Sequence, residues 1–433
     1  DPTNNGATES SLPEHHLPID YTQPNATNNS TTHSSLWFDA LDTRGNRGYV
    51  ADPTLFRRFV LQWHEQHKNA TYWDRLKHFQ SHLQLNNSKP SDINVTMDFV
   101  CSLDESKGGR ELNDGATRML MNIKIDETPT LRRGCTESPP LQYEQPRLFC
   151  GIYTHDPARD FTRITALSYG WKCDGFLAFS TVTIPSLGMV SLMHRGPESY
   201  NNMIQKTRSI WGYVATHYID QYDYFHIGGD DMHLIVENMR SLLLEYESDT
   251  TTVGRIFGQL VPSGKYQFVR GGAGYTLDRA ALKKLLDYMP NCFPEAQGSW
   301  EDNVISKCAY NLGLKFGDNR DSCTGQQRSH TETPGVLFNA KGQSQAELDN
   351  HIKMWAAKPH PIVPTERTGM KVGIEAASNH SVTFHRLRYP VWMARHHALM
   401  YNACPSHTGL GKFSSKKYDT KTGVGLENDH SST

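Results

Sequence analysis

Tyr222-Asp223-Tyr224-Phe225-His226-Ile227-Gly228-Gly229-Asp230-Asp231 is an aromatic, apolar run that ends abruptly in two glycines and two acids. It reads as a buried strand that delivers carboxylates to the lip of a sheet. The glycines permit tight backbone geometry and leave room for a ligand beside the chain. Two adjacent carboxylates at a strand end can hold a hard divalent cation, and such cations often bridge phosphates. An isolated Asp-Asp pair is more often an acidic surface turn. Here the run before it is apolar and a helix is expected at once, from Met232 to Tyr246, so the pair is read as a ligand site.

Upstream of this stretch, from Arg147, strand and helix patterns alternate. Leu148 to Thr154 and Gly175 to Ser180 read as short strands, Phe161, Ile164, Leu167, Ser168 and Trp171 as a helix, and Pro197 to Tyr218 as a long helix. Downstream, a strand over Arg255 to Leu260 precedes Val269-Arg270-Gly271-Gly272-Ala273-Gly274-Tyr275, and a helix follows with Ala281, Leu282, Leu285 and Leu286 on one face. Ser299-Trp300-Glu301-Asp302 opens a further helix through Cys308. The alternation predicts an α/β fold with a largely parallel sheet and helices on its faces. Ligands of such sheets bind beyond the carboxyl ends of the strands, where Asp230 and Asp231 fall. The Gly-Gly-Ala-Gly run lets a backbone pass close to a substrate. It is neither a P-loop, since no Lys-Ser/Thr follows, nor a dinucleotide fingerprint. Glu301 and Asp302 are either simple caps of a helix dipole or a general base beside an aromatic platform.

The chain has 433 residues, 37% hydrophobic and 21% charged, with a net charge of -2. That length allows one large domain or two ordinary ones. The near-neutral charge argues against nucleic acid as the main partner. No apolar run approaches the roughly 20 residues of a membrane helix. The first residue is Asp1, so removal of a targeting segment or N-terminal membrane anchor is an open expectation. Seven Asn-x-Ser/Thr sequons, six of them before residue 100, fit a secretory-pathway protein with a glycosylated stem. Eight cysteines then read as disulfides, with Cys101 and Cys135 a possible pair.

Residues 1–35 are Asn, Thr, Ser, Pro and His with almost no apolar content, the composition of a flexible stem. Asp52-Pro53 is a helix start. Leu55, Phe56, Phe59, Val60 and Trp63, then Tyr72, Trp73, Leu76, Phe79 and Leu83, predict two amphipathic helices. Residues 86–145 are turn-rich and carry no chemical motif.

From about Arg147 to Arg388 the chain resembles the core 1 β1,3-galactosyltransferases of glycosyltransferase family 31. Cys150-Gly-Ile-Tyr-Thr154 resembles the first strand of that family and Lys206-Thr207 a Lys-Thr in its long helix. Tyr224 to Asp231, with Asn238, Met239, Arg240 and Leu243 after it, is similar to the Trp-Phe-x-x-Ala-Asp-Asp-Asp segment and its helix. Gly271 to Leu277 matches Gly-Gly-Ala-Gly-Tyr-x-Leu. Glu301-Asp302 matches a Glu-Asp pair with Cys308 behind it. Gly317-Asp318-Asn319-Arg320-Asp321 is similar to Gly-Asp-Ser-Arg-Asp, and Val382-Thr383-Phe384-His385 to Val-Ser-Phe-His. The resemblance covers somewhat more than half the chain and none of the first 145 residues.

It implies an α/β fold of GT-A type (Rossmann-like), to which the two amphipathic patterns add an N-terminal helical accessory segment. Together with the composition and helix patterns of the rest of the chain, the expected organisation is a glycosylated stem (1–35), an accessory segment (36–145), the catalytic domain (146–404) and a flexible tail (405–433). The implied reaction is inverting transfer of galactose from UDP-galactose to the 3-hydroxyl of O-linked N-acetylgalactosamine (GalNAc) on glycoproteins. Manganese (Mn2+) would neutralise the diphosphate, in the Golgi lumen, with a homodimer and an N-terminal anchor as further expectations. Such a transfer needs a base for the acceptor hydroxyl and a Lewis acid on the leaving UDP. By position Asp302 is the base and Asp231 the metal-binding carboxylate. His330 is the implied histidine ligand and His385 the runner-up. Thr154, Lys206, Asp230 and Asp231 are donor-site candidates, and Gly271, Gly272, Tyr275, Trp300, Glu301 and Trp355 acceptor-site candidates. Trp300 and Trp355 could stack on a sugar face or belong to the core, and Lys206 could face diphosphate or solvent. Family positions also imply pairing of Cys150 with Cys173 and Cys292 with Cys308, leaving Cys323 and Cys404 as a remaining pair.

The chain departs from the family in two places. Gly229 replaces the first Asp of the acidic triplet, and an adjacent cysteine pair before Val382 is missing. Fringe-like N-acetylglucosamine transfer and a catalytically silent, chaperone-like relative are the competing readings. Retention of Asp231, Gly271 to Gly274 and Glu301-Asp302 favours an enzyme.

Overall fold

The computed structural model describes residues 50–82, 97–101, 114–138, 145–155, 159–247, 253–263, 266–331, 333 and 377–404. The proposed stem, the proposed tail, five of the seven sequons and Trp355 lie outside the described residues. The other two sequon asparagines, Asn69 and Asn379, are exposed.

In chain order, the first elements are α1 (Leu55–Gln66), α2 (Tyr72–His82), α3 (Met97–Cys101) and α4 (Asp114–Met121), followed by the hairpin β1 (Leu131–Arg133) and β2 (Thr136–Ser138). Next come β3 (Leu148–Tyr153), α5 (Arg159–Ser168), β4 (Gly175–Ser180), β5 (Met189–Ser191), α6 (Met203–Tyr218), β6 (Tyr224–Gly229), β7 (His233–Leu234) and α7 (Val236–Glu247). The chain continues through β8 (Arg255–Gly258), β9 (Leu260–Ser263), β10 (Tyr266–Val269), β11 (Tyr275–Asp278), α8 (Arg279–Cys292) and α9 (Glu301–Asn311). The last elements are β12 (Lys315–Asp318), β13 (Ser329–His330), β14 (Thr383–Phe384) and α10 (Pro390–Met400).

The main sheet has seven strands in the order β12-β8-β11-β6-β3-β4-β5. All its neighbours are parallel except β11, which lies antiparallel to both β6 and β8. This mixed α/β architecture fits a GT-A-like glycosyltransferase. The strands alternate between two apolar layers, as a pleat with both faces covered requires. Leu148, Cys150 and Ile152 of β3 face a core shared with α1, α5, α7 and α10. Phe149 of β3, with Phe225 and Ile227 of β6, faces a core shared with α6, α8 and α9.

The N-terminal helices are built onto this sheet. Phe56, Val60 and Trp63 of α1 are buried. Arg57 donates to the carbonyls of Trp171, Lys172 and Cys173 at 3.2, 3.0 and 3.0 Å. The Tyr218 hydroxyl donates to the Ala51 carbonyl at 2.7 Å.

Several elements differ from the sequence expectations. The Met232–Tyr246 stretch does not become helical at once, because His233 and Leu234 pair with Phe384 and Thr383; α7 starts at Val236. The long helix starts at Met203 rather than Pro197, because the Asn202 amide donates to the carbonyls of Arg195 and Pro197 at 2.8 and 2.9 Å and holds a turn there. The strand at Arg255 ends at Gly258, and β11 stands between the glycine run and α8.

Cys150–Cys173 and Cys292–Cys308 are disulfides, as family positions imply. The Cys101–Cys135 pairing is corrected, and Cys323 and Cys404 do not pair with each other. Cys101 joins Cys404 because α3 packs on α10, where Arg395 Nε donates to the Val100 carbonyl at 2.7 Å. Cys135 joins Cys323 because the turn of the first hairpin meets the loop after β12, with Ser322 Oγ donating to the Gly134 carbonyl at 3.3 Å. Among the described residues no helix is long and apolar enough to cross a membrane.

Candidate active site

The pairing register gathers the site at one edge of the sheet. Tyr153 lies opposite Gly229, so β3 and β6 deliver Thr154 and Asp230-Asp231 side by side at their carboxyl ends. Because β11 runs antiparallel, with Tyr275 opposite Ile227, the Gly271–Gly274 turn ahead of it reaches the same edge. The helix that opens at Glu301 meets that turn, and the Gly271 amide donates to Asp302 Oδ2 at 3.0 Å.

The turn must be glycine for reasons of space. A Cβ on Gly271 would fall 2.5 Å from Glu301 Oε1, and one on Gly272 would fall 2.6 Å from the ring of His385. One dipeptide therefore separates Glu301-Asp302 on one side from His385 on the other. His385 Nε2 in turn stands 3.2 Å from Asp231 Oδ1. His385, Asp231, Glu301 and Asp302 thus form one cluster.

His385 is held in a definite orientation. Its Nδ1 lies 3.0 Å from the Thr331 carbonyl, an acceptor only, so Nδ1 carries the proton and donates. The Leu387 amide donates to the Asp231 carbonyl at 2.9 Å and ties the two segments together. Arg386 between them adopts a left-handed backbone, φ 62°, which is uncommon for a residue with a side chain. Burial alone would lower the His385 pKa, but the Asp231 carboxylate raises it above its ordinary value, with help from Thr331. A neutral His385 would turn its Nε2 lone pair toward a carboxylate oxygen, which is repulsive unless a proton or a cation lies between them. A proton on Nε2 satisfies this contact, and the same oxygen and nitrogen are ligand types that a divalent metal ion would take, with the carbonyl on Nδ1 fixing the tautomer.

His330 sits elsewhere in its surroundings. It pairs with Phe384 across β13 and β14, stacks on that ring with centroids 4.8 Å apart, and its Nε2 lies 3.0 Å from Ser381 Oγ. It is buried, and burial pushes its pKa down to about 3. The histidine facing Asp231 is His385, not His330. Among the described residues no group of three or more His, Cys, Asp and Glu side chains stands ready to hold a metal.

On the donor side, Thr154 Oγ1 donates to Asp230 Oδ2 at 2.7 Å. Burial, then the Asp231 charge, raises Asp230 to about 6. Lys206 is buried and bonds to the Thr154 carbonyl and to Glu198. Its charge is therefore matched within the protein, and it positions Thr154. Glu301 is buried, and burial followed by the Asp302 charge pushes it up to about 8. Tyr275 is fully buried, its hydroxyl 3.3 Å from Trp211 Nε1. Trp300, by contrast, is 70% exposed at the start of α9.

Sequence reasoning missed Tyr153 and Tyr200. A Cβ on Gly229 would meet Asp231 Oδ1 at 2.9 Å and the Tyr153 ring at 3.3 Å, so Tyr153 occupies space beside the departed acid. Tyr200 is largely exposed, and burial first, then the charges of Glu301, Asp302 and Asp231, raise its hydroxyl pKa. The register of β3 against β6 places Tyr153; no local motif marks either tyrosine.

Comparison with known proteins fits this arrangement. No protein-family model matches the chain. Glycoprotein-N-acetylgalactosamine 3-beta-galactosyltransferase 1 of Xenopus laevis is 24% identical over 273 residues, which is 60% of this chain and 70% of the relative. The chain is a homologue of that galactosyltransferase. The Beta-1,3-glucosyltransferase of Mus musculus is 28% identical over 110 residues, 25% of this chain and 22% of that relative. Both similarities support a β1,3-glycosyltransferase. The galactosyltransferase homology and the four disulfides fit a lumenal protein of the secretory pathway.

Proposed function

We propose that the chain is an inverting β1,3-galactosyltransferase that moves galactose from UDP-galactose to the 3-hydroxyl of O-linked GalNAc on glycoproteins. The observation that carries this reading is the cluster around the Gly271-Gly272 turn. The turn sets a carboxylate, Asp302, beside a pair, Asp231 and His385, suited to a divalent cation.

In this reading Asp302 takes the proton of the acceptor hydroxyl. Its Oδ2 accepts from the Gly271 amide and its Oδ1 from the Asn303 amide at 2.8 Å, so the carboxylate is oriented before the acceptor arrives. Asp231 and His385 would hold manganese, which supplies Lewis-acid stabilisation of the leaving diphosphate when bound. Asp230 and Thr154 bind on the donor side, positioned by Lys206. Glu301, protonated near neutral pH, is available to donate a hydrogen bond in the acceptor pocket. Trp300 and Tyr200 offer exposed rings to the acceptor sugar, and Gly272 keeps the His385 ring close to the turn. The galactosyltransferase homologue supports the donor and the acceptor; the mouse relative makes glucose the alternative donor.

The test is UDP release from UDP-galactose with a GalNAc-O-threonine peptide, in manganese and in chelator, with UDP-glucose alongside. Acceptor-dependent, manganese-dependent release from UDP-galactose supports the proposal. Release from UDP-glucose alone replaces the donor. Absence of both release and UDP binding overturns the transferase reading in favour of a non-catalytic partner.

A further inference from the structure

A cavity of about 670 Å3 opens between α2, the turn after α5 and the end of α10, lined by aromatic rings and by Arg75, Lys172 and Glu237. Its volume is that of a small-molecule site. Two of its three charges cancel, because Lys172 Nζ lies 2.7 Å from Glu237 Oε1 and the Tyr401 hydroxyl donates to Glu237 Oε2 at 2.7 Å. His397, also in the wall, is neutral because burial drives its pKa well below the usual histidine range.

Arg75 remains. It is 6% exposed, and its guanidinium lies 4.7 Å from the Trp171 ring centre and 5.4 Å from that of Tyr72. Nη1 stands 3.0 Å from His64 Nε2, and since arginine only donates, His64 accepts and is neutral. Nε has no hydrogen-bond partner, and no carboxylate among the described residues pairs with this side chain. A buried cation without a counter-charge is unfavourable unless something supplies one. The Trp171 and Tyr72 rings and His64 hold the guanidinium in place but bring no counter-charge, which a bound anion would supply.

We propose that this cavity is a ligand site separate from the acid cluster, and that its ligand is a small sugar acid. One carboxylate oxygen would accept from Arg75 Nη2, since Nη1 is taken by His64 and Nε is sealed from the cavity. The sugar ring would lie among Trp73, Trp171 and Tyr401, since an aromatic face suits the apolar side of a pyranose. One unbalanced positive charge calls for a monoanion.

The experiment titrates the whole chain with glucuronate, following tryptophan fluorescence and thermal stability, with glucose as the uncharged control. Glucuronate is expected to saturate the fluorescence change and raise Tm, and glucose to do neither. Arg75→Met is expected to fold with a Tm equal to or above that of the parent, because it removes an unpaired buried charge, and to weaken glucuronate binding at least tenfold. Arg75→Lys keeps the charge but not the Nη2 donor and is expected to fall between. No binding of glucuronate, equal binding of glucose, or undiminished binding by Arg75→Met overturns the proposal. So does a fall in Tm of both Arg75 variants with glucuronate binding intact, which would make Arg75 purely structural.

Discussion

The Gly271 amide and Asp302 Oδ2 are 3.0 Å apart, a contact made across 31 residues of chain. It ties the glycine turn to the first turn of α9 and fixes the carboxylate that would act as base. Replacing Asp302 by Asn keeps the shape and removes the proton acceptor. Turnover is expected to fall by about 10²–10⁴-fold, with UDP affinity within about threefold of the parent. Loss of UDP binding in step with turnover would show that Asp302 serves the donor instead.

The two histidines separate by where their rings face. His385→Ala removes the partner of Asp231 and is expected to abolish manganese-dependent UDP binding, with turnover lower by about 10²-fold or more. His330→Ala empties a packed, buried position against Phe384 and is expected to cost about 2–4 kcal/mol of stability, with metal dependence unchanged. Isothermal titration of manganese and UDP, alongside urea unfolding, distinguishes the two variants. The opposite pattern would return the metal to His330.

Glu301 links stability to pH. Its folded pKa of about 8 lies above the unfolded value of 4.5, so the folded state binds the extra proton between them. Its contribution is complete below about pH 4.5 and is lost as pH rises through 8. Glu301→Gln imitates the protonated form. Its Tm is expected to exceed that of the parent by about 2–4 °C at pH 9 and to converge with it near pH 5. A constant difference across that range would mean Glu301 does not carry the proton.

Restoring the missing acid at Gly229 is not expected to restore a family-like donor site. Any Cβ there meets Asp231 Oδ1 at 2.9 Å and pushes the carboxylate off its line to His385. Gly229→Ala and Gly229→Asp are both expected to lower turnover by about 10-fold or more, with Tm nearly unchanged. Higher activity in Gly229→Asp would show that the space can be remade.

The local parts of the site were legible in the sequence. Asp230-Asp231, Gly271 to Gly274 and Glu301-Asp302 announce themselves because each is a short run of unusual residues ending or opening an element. The resemblance ranked His330 above His385, and nothing local in the sequence tested that order. His330 and His385 are both single residues in polar surroundings, and only the pairing of β13 with β14 turns one into the core and the other toward Asp231. Strand β7 escaped notice for a related reason: His233 and Leu234 are extended through partners about 150 residues away, which no local periodicity records. Cys101 was matched to the nearest candidate, Cys135, when its partner lay at the far end of the fold.

That bond between Cys101 and Cys404 closes residues 101–404, which carry the whole main sheet, into a covalent ring, with the Cys135–Cys323 bond drawn across it. The region before the first main-sheet strand is therefore not a detachable module. A shortened protein starting near residue 146 would leave Cys323 and Cys404 as two orphan thiols. A single protease cut inside the ring would leave the two pieces covalently joined until a reductant was added.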